Sequence, residues 1–174
     1  MIEVKVETVQ ASWVSPHRVL VLKELDTERY LPIWIGGFEA DAISMRLLGQ
    51  EPPRPLTHDL LVNLMETLNA GLAYIYISSL TNNTFYARLV LQKNDKEIEM
   101  DSRTSDAVAI AVRCSVPIYV HEDVMQEAGV EPELSLLEEE GVGFGHDHVD
   151  QTKDLGAFRD FLNTLNMEDM DLDS

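Results

Sequence analysis

The sequence predicts an α+β fold, a compact single domain in which two β-rich runs pack with helices, followed by an acidic C-terminal tail with one short helix. The first observation behind this prediction is that segments with strand patterning lie on both sides of two segments with helical periodicity. The second is that 45% of the 174 residues are hydrophobic, which is enough to form a core. The third is that acidic residues and glycine dominate after about residue 130.

Ile2, Val4 and Val6 alternate with charged residues, and two aliphatic segments follow, so the chain opens with three strands. We expect these strands at 2–14, 18–25 and 30–35. Two segments with apolar residues three and four positions apart come next, and Gly49 and Gly71 end them. We expect helices at 38–48 and 57–70.

The second β-rich run is divided by Asn82-Asn83 and Asn94-Asp95, residue types that tolerate the positive φ of tight hairpins. It predicts a three-stranded meander with strands at 72–80, 84–93 and 96–100. We expect Thr57 to cap the helix that begins there and Thr104 to cap a third helix, over 104–113. A short strand at 117–120 and a short helix at 122–128 complete the predicted body.

We expect the domain to occupy residues 1–130. A mobile acidic, glycine-rich linker is expected at 131–153, because little in it can be buried. Leu155, Phe158, Leu162 and Leu165 share one helical face, which predicts an amphipathic terminal helix over 154–166. Residues 167–174 then form an acidic tail.

The formal net charge is −18, which argues against a protein that binds nucleic acid or anionic lipid through a broad basic face. Residues 1–120 hold 11 basic and 15 acidic side chains, whereas residues 121–174 hold 2 and 16, so the acidity belongs mainly to the C-terminal third. A lone Cys114 cannot form an intrachain disulfide. With no signal peptide pattern and no apolar run long enough to span a bilayer, we expect a cytoplasmic protein that does not bind membranes.

Two short motifs share one pattern, Arg54-Pro55-Leu56-Thr57-His58-Asp59 and Asp101-Ser102-Arg103-Thr104-Ser105-Asp106. Each ends a loop and opens a helix, with an arginine before the threonine and an aspartate two residues after it. An aspartate in the first turn of a helix is commonly a stabilising feature only, worth about 0.3–1 kcal/mol. Together, however, the motifs supply an imidazole, three carboxylates and two guanidinium groups.

Phosphodiester cleavage uses such a set of groups. Carboxylates hold Mg²⁺ or Mn²⁺, histidine moves a proton near neutral pH, and arginine binds phosphate through two parallel hydrogen bonds. Glu39 is a further candidate metal ligand, although an ion-paired or solvated helix face shared with Arg46 explains it as well. No phosphate-binding glycine-rich loop of the P-loop or dinucleotide type is present in the sequence.

Three ordered blocks resemble the bifunctional nuclease family: residues 31–43 (LPIWIGGFEADAI), 54–60 (RPLTHDL) and 101–111 (DSRTSDAVAIA). The resemblance covers roughly residues 1–129. It implies a self-associating α+β domain, in a family named for DNase and RNase activity. The recurring polar positions that it implies in this chain are Glu39, Arg54, Thr57, His58, Asp59, Asp101, Arg103, Ser105 and Asp106. Thr104 departs from the pattern, since many members have proline there.

Two hypotheses follow. The first is a nuclease that hydrolyses phosphodiester bonds of RNA, DNA or both with the help of Mg²⁺ or Mn²⁺. Its residues are His58, Asp59, Asp101 and Asp106 for catalysis; Arg54, Arg103, Thr57 and Ser105 for substrate binding; and Asp59, Asp101, Asp106 and Glu39 for the metal. The second is a non-enzymatic oligomeric module that binds a small anionic ligand or a partner protein. Both include a homo-oligomer, with a dimer favoured, and the meeting of the two motifs in space discriminates between them.

Overall fold

Residues 1–11 and 18–131 are described by the computed structural model of the chain. Its strands are β1 (Ile2–Ala11), β2 (Arg18–Glu24), β3 (Tyr30–Ile35), β4 (Gly71–Thr81), β5 (Thr84–Lys93), β6 (Lys96–Arg103) and β7 (Ile118–Val120). Its helices are α1 (Gly37–Leu47), α2 (Thr57–Thr67), α3 (Thr104–Cys114) and α4 (Glu122–Ala128). The α+β class is therefore confirmed, while the predictions for residues 12–14 and 132–174 lie outside the described residues.

All seven strands form one sheet, in the order β3-β2-β1-β7-β4-β5-β6. The short strand β7 joins the two predicted β-rich runs: Ile118 lies opposite Val4 in the antiparallel pair with β1 and opposite Ile75 in the parallel pair with β4. Because Ile118 and Val120 are buried, the backbone of β7 needs hydrogen-bond partners along both edges. The sequence predicts this strand but not its central place in the sheet.

The meander β4-β5-β6 turns where the sequence predicts it. Asn82 and Asn83 have φ values of 50° and 58°, and Asn94 and Asp95 have φ values of 50° and 59°, all in the left-handed region that tight hairpins require. Strand β6 runs three residues past its predicted end, because its pairing with β5 continues to Arg103 opposite Tyr86. Strand β6 therefore ends at Arg103, and α3 begins at the next residue.

The core lies between one face of the sheet and the helices. Leu20, Leu22, Ile75 and Ile77 cover the centre of this face and are inaccessible to solvent. Helix α3 packs on β4 and β5 and contacts both α1 and α2. Its alanine-rich surface is fully buried, so the neighbouring elements approach it closely. As a result the first turns of α1, α2 and α3 lie near one another.

Helix α2 turns an unexpected side to the body. The apolar stripe that the sequence shows on this helix stays largely solvent-exposed, with Leu60 at 62% and Leu64 at 50% exposure. The inward side instead carries His58, Val62 and Met65, spaced four and three residues apart. His58 is buried, so the first turn of α2 brings a titratable side chain to α3.

The predicted caps are wrong by one residue. Thr57 and Thr104 are the first residues of their helices, and Leu56 and Arg103 hold the cap positions. The Thr104 hydroxyl donates to the carbonyl of Phe85 at 3.2 Å and so anchors α3 to β5 instead of capping it. None of the helices in the described ranges is long and apolar enough to cross a membrane.

Candidate functional site

The two sequence motifs meet through His58 and Asp106. His58 Nε2 lies 3.0 Å from Asp106 Oδ1, and the two side chains are only 10% and 25% exposed. Each residue lies in the first turn of its helix, and the packing of α2 on α3 brings these turns together. The two motifs, which the nuclease hypothesis requires to meet, are therefore in contact through this pair.

Arg103 extends the pair into a network with two acidic residues. Its Nε donates to Asp106 Oδ2 at 2.6 Å, and its Nη2 donates to Asp106 Oδ1 at 3.1 Å and to Glu39 Oε1 at 2.9 Å. The Arg103 side chain is 69% exposed, whereas that of Glu39 is 17% exposed. The exposed Arg103 guanidinium therefore binds the carboxylates of Asp106 and Glu39, next to the buried imidazole. Glu39 thus pairs with Arg103 and not with Arg46.

The network keeps Asp106 ionised. Burial by itself raises the pKa of the Asp106 carboxyl, but the hydrogen bonds from Arg103 and His58 outweigh burial and hold this pKa below its usual range. The same hydrogen bond to Asp106 raises the pKa of the Arg103 guanidinium. An ionised Asp106 accepts hydrogen bonds only, which orients both the imidazole and the guanidinium.

Gly36 makes room for the Glu39 carboxylate. It holds the N-cap position of α1, and a Cβ built on it would overlap Glu39 Oε2. Gly37, the next residue, has open space where a Cβ would lie. The absence of a side chain at Gly36 thus lets Glu39 fold back over the helix start and reach Arg103.

Asp59 faces different partners from its neighbour His58. Its Oδ1 accepts from Arg113 Nε at 2.6 Å, and its Oδ2 accepts from the Leu56 N–H at 2.8 Å. Burial raises the pKa of Asp59, but these two bonds outweigh it and lower the pKa overall. Arg113 is only 7% exposed and also donates to the Ala109 carbonyl at 2.8 Å. Asp59 therefore anchors α2 to the end of α3 on a side away from the His58–Asp106 pair.

Arg54 lies beside this second group. An open cleft of about 270 Å³ is formed by the end of α1, the proline-rich segment 50–56 and the start of α2. Arg46, Arg54 and Arg113 all line it, as does Asp59. Arg54 and Arg103, which are both predicted from the sequence to bind substrate, thus belong to two separate groups of residues.

Asp101 belongs neither to the Arg103 network nor to the residues around Asp59. It belongs to β6, is 66% exposed, and comes within 3.7 Å of Arg88 on the neighbouring strand. Thr57 is exposed at the start of α2, and Ser105 is buried at the second position of α3. Among residues 1–11 and 18–131, no three His, Cys, Asp or Glu side chains lie close enough to hold a metal ion.

Two arginines that line the cleft are not among the site residues predicted from the sequence. Arg113 ends α3 and Arg46 lies in the last turn of α1, where a basic residue has an ordinary stabilising role. Only the packing of α1, α2 and the end of α3 shows that both line the same cleft as Asp59. No local pattern in the sequence distinguishes them from other helix-terminal arginines.

The network offers two groups suited to reaction chemistry. When neutral His58 donates its Nε2–H to Asp106, the free lone pair is on Nδ1 and can accept a proton. Arg103 uses Nε and Nη2 in the network, and its Nη1 has no partner among the described residues, so it is available to an anion. Cys114 has no such role, because burial raises the pKa of its thiol.

These features agree with comparisons to known proteins. The family model described as the bifunctional nuclease domain matches residues 20–133, and the chain belongs to this family. The matched segment contains all the residues of the His58–Asp106–Arg103–Glu39 network as well as the Arg54 cleft. The resemblance inferred from the three sequence blocks is thereby confirmed.

The relatives differ in how much is known of them. An uncharacterized protein of Mycobacterium tuberculosis is 40% identical over 167 residues, which is 96% of each chain. Bifunctional nuclease 1 of Oryza sativa subsp. japonica is 30% identical over 120 residues, and bifunctional nuclease 2 of Arabidopsis thaliana is 28% identical over 120 residues. The two plant matches cover 67% of this chain but only 36% of each plant protein.

Proposed function

We propose that this protein is a nuclease that hydrolyses phosphodiester bonds in RNA, DNA or both. The observation that carries the proposal is the buried pair of His58 and Asp106, at 3.0 Å, with the exposed guanidinium of Arg103 beside it. The names of the plant relatives support the reaction class. We extend the proposal to a cytoplasmic site of action.

In the proposed mechanism His58 is the general base. Its Nδ1 accepts a proton from a water molecule as the water oxygen attacks phosphorus, the P–O bond to the departing nucleoside oxygen breaks, and that oxygen takes up a proton from solvent. The imidazolium then releases its proton to solvent, which restores neutral His58. Asp106 holds the imidazole in the required tautomer and stabilises the imidazolium that forms. The free Nη1 of Arg103 neutralises negative charge that builds up on the phosphate oxygens.

The mechanism contains no step through a metal ion. Every carboxylate oxygen of Asp106 and Asp59 already accepts a hydrogen bond, and among the described residues no three His, Cys, Asp or Glu side chains are grouped to hold a metal ion. Assistance by Mg²⁺ or Mn²⁺ stays a prediction. It is tested directly by adding EDTA.

The test is cleavage of labelled single-stranded RNA and DNA with Mg²⁺, Mn²⁺ or EDTA. We compare the wild type with His58→Ala and with the matched variant His121→Ala, whose imidazole is 48% exposed on the surface. The His58 variant is expected to lose at least about 100-fold in rate, as for removal of a general base, and the His121 variant to keep full activity. Equal cleavage by all three proteins would identify a contaminating nuclease and overturn the proposal.

The alternative, a non-enzymatic oligomeric module, has one specific observation in its favour. Leu60 and Leu64 of α2 and Leu68 at its C-cap expose 62%, 50% and 52% of their surface, as expected of a helix that contacts another protein. We propose a second copy of this chain as that protein, and therefore a homodimer. Light scattering tests this: a dimer that becomes a monomer on Leu64→Glu supports it, and a wild-type monomer contradicts it.

A further inference from the structure

The cleft beside Asp59 combines rigid walls with cationic groups. Pro52, Pro53 and Pro55 fix the backbone φ of the segment that carries Arg54, which limits how far this arginine can move. The charged residues lining the cleft are Arg46, Arg54, Arg113, Glu51 and Asp59, so its net charge is one positive. This local charge is opposite to that of the chain as a whole, which carries −18. A small anion is the ligand whose charge fits the cleft.

The arginines differ in how much of their hydrogen-bonding capacity is already used. Arg113 is buried and held by Asp59 and by the Ala109 carbonyl, so it forms a neutral ion pair with Asp59 in the wall. Arg46 makes two long bonds of 3.4 Å to the carbonyls of Val112 and Arg113. Arg54 is exposed and has no hydrogen-bond or ion-pair partner among the described residues. The donors of Arg54 are therefore free for a ligand.

The negative residues of the cleft do not cancel this capacity. Both oxygens of Asp59 are occupied, by Arg113 Nε and by the Leu56 N–H, so its charge is neutralised within the wall. Glu51 is exposed like Arg54 and offsets the charge of one of the two remaining arginines, which leaves the cleft with one net positive charge. A guanidinium fork binds a carboxylate or a phosphate through two parallel bonds, and the proposed function makes phosphate the anion that Arg54 and Arg46 would bind.

We propose that the cleft is a binding site for a phosphate group, with Arg54 as its principal ligand and Arg46 as the second, in front of the Arg113–Asp59 ion pair. The inference rests on the proposed function for the choice of phosphate carrier, a nucleic acid strand or a nucleoside monophosphate. Asp59 lines the cleft and His58 belongs to the catalytic pair, and the Cα atoms of consecutive residues are only about 3.8 Å apart. The cleft therefore adjoins the first turn of α2, in which His58 and Asp59 direct their side chains to different partners.

The experiment measures binding, not cleavage. Anisotropy of a fluorescein-labelled ten-nucleotide oligouridine is recorded in EDTA at several salt concentrations, with the intact length of the probe checked on a gel. The proteins are the full-length wild type, Arg54→Gln and the matched variant Lys96→Gln, which removes the same charge from the start of β6, at the end of that strand far from Arg103. Arg54→Gln is expected to weaken binding roughly tenfold, as for loss of a charge-assisted hydrogen bond.

The salt dependence identifies the contact as one with phosphate. Loss of one phosphate contact lowers the slope of log K against log salt by about 0.7 for a single strand, so this change is expected for Arg54→Gln and not for Lys96→Gln. Unlabelled uridine monophosphate, added as a competitor, distinguishes the carriers. If uridine monophosphate competes and the competition requires Arg54, the site binds a terminal phosphate. If it does not compete while oligouridine still binds, the site binds an internal diester. Both results support the site.

Equal affinity and equal slope in Arg54→Gln and the wild type would overturn the phosphate site, as would a wild type that binds neither probe below about 1 mM. Arg54→Gln is expected to melt with the wild type, because no partner of Arg54 is lost. Binding that depends on Arg54 without any cleavage would contradict the nuclease proposal alone. Cleavage with binding that ignores Arg54 would contradict this site alone.

Discussion

Replacing Asp106 by asparagine is the most informative change in the network. The substitution keeps the shape of the side chain but removes its charge and turns one oxygen into an N–H donor. Both oxygens of Asp106 accept bonds, Oδ1 from His58 and from Arg103 Nη2, and Oδ2 from Arg103 Nε. Whichever way the amide turns, its NH₂ group therefore replaces an oxygen that accepts a hydrogen bond in the wild type.

The size of the effect follows from how exposed each bond is. The bond to His58 joins side chains that are 10% and 25% exposed, so its loss costs up to about 1.5–3 kcal/mol. The bonds to Arg103 involve a side chain that is 69% exposed and are worth about 1 kcal/mol or less. Since asparagine keeps one acceptor, we expect a total loss of about 1–3 kcal/mol in the free energy of unfolding.

Thermal melting and cleavage together test this expectation. For a chain of this size the melting temperature should fall by roughly 2–12 °C. Cleavage should fall at least about 100-fold, because the imidazole loses the group that sets its tautomer. The matched control is Asp123→Asn, since Asp123 pairs with His121 at 3.4 Å and is 85% exposed. This control should stay within about 0.5 kcal/mol of the wild type.

Two results would refute the reasoning. Wild-type melting and wild-type cleavage in Asp106→Asn would show that the network neither stabilises the domain nor serves the reaction. Equal losses in Asp106→Asn and Asp123→Asn would show that the loss of one negative charge, not the buried contact, causes the effect.

Three further predictions concern the surroundings of the network. Gly36→Ala should displace the Glu39 carboxylate, which would misplace Arg103 and lower the cleavage rate roughly tenfold. Gly37→Ala should cleave at the wild-type rate, and equal rates for the two variants would contradict the role of Gly36. Because the pKa of Asp106 in the folded state lies below its ordinary 3.8, the stabilising contribution of this residue is complete at pH well above 3.8 and is lost as the pH falls through the lowered pKa. The free energy of unfolding, measured with urea, should therefore decline more steeply on acidification in the wild type than in Asp106→Asn. Equal slopes in the two proteins would contradict this. Ile77→Ala, in the centre of the sheet, should cost about 2–5 kcal/mol in the same urea experiment, and a loss below 1 kcal/mol would show that the site collapses around the cavity.

Local chemistry made much of the fold predictable. The hairpins depend on residues such as Asn82 and Asn94 that accept a positive φ. Helix α1 ends before Gly49, whose φ is 65°, as expected, whereas α2 ends at Thr67 and is followed by Asn69 with a φ of 53°, so the prediction that Gly71 stops α2 is wrong. Strand and helix types follow from the spacing of apolar residues, which is a property of neighbouring positions. The error of one residue at Thr57 and Thr104 has a tertiary cause for Thr104, since its hydroxyl is drawn to the Phe85 carbonyl of β5.

The sequence by itself determined the α+β class, the family and most residues of the network, because these depend on residue types and short spacings. Only the tertiary structure decided which of the candidates meet. His58 and Asp59 are adjacent in the chain, yet a helix turns successive side chains by about 100°, so His58 joins Asp106 while Asp59 joins Arg113. The central place of β7 and the gathering of the cleft arginines likewise depend on contacts between residues distant in sequence, which no local pattern encodes.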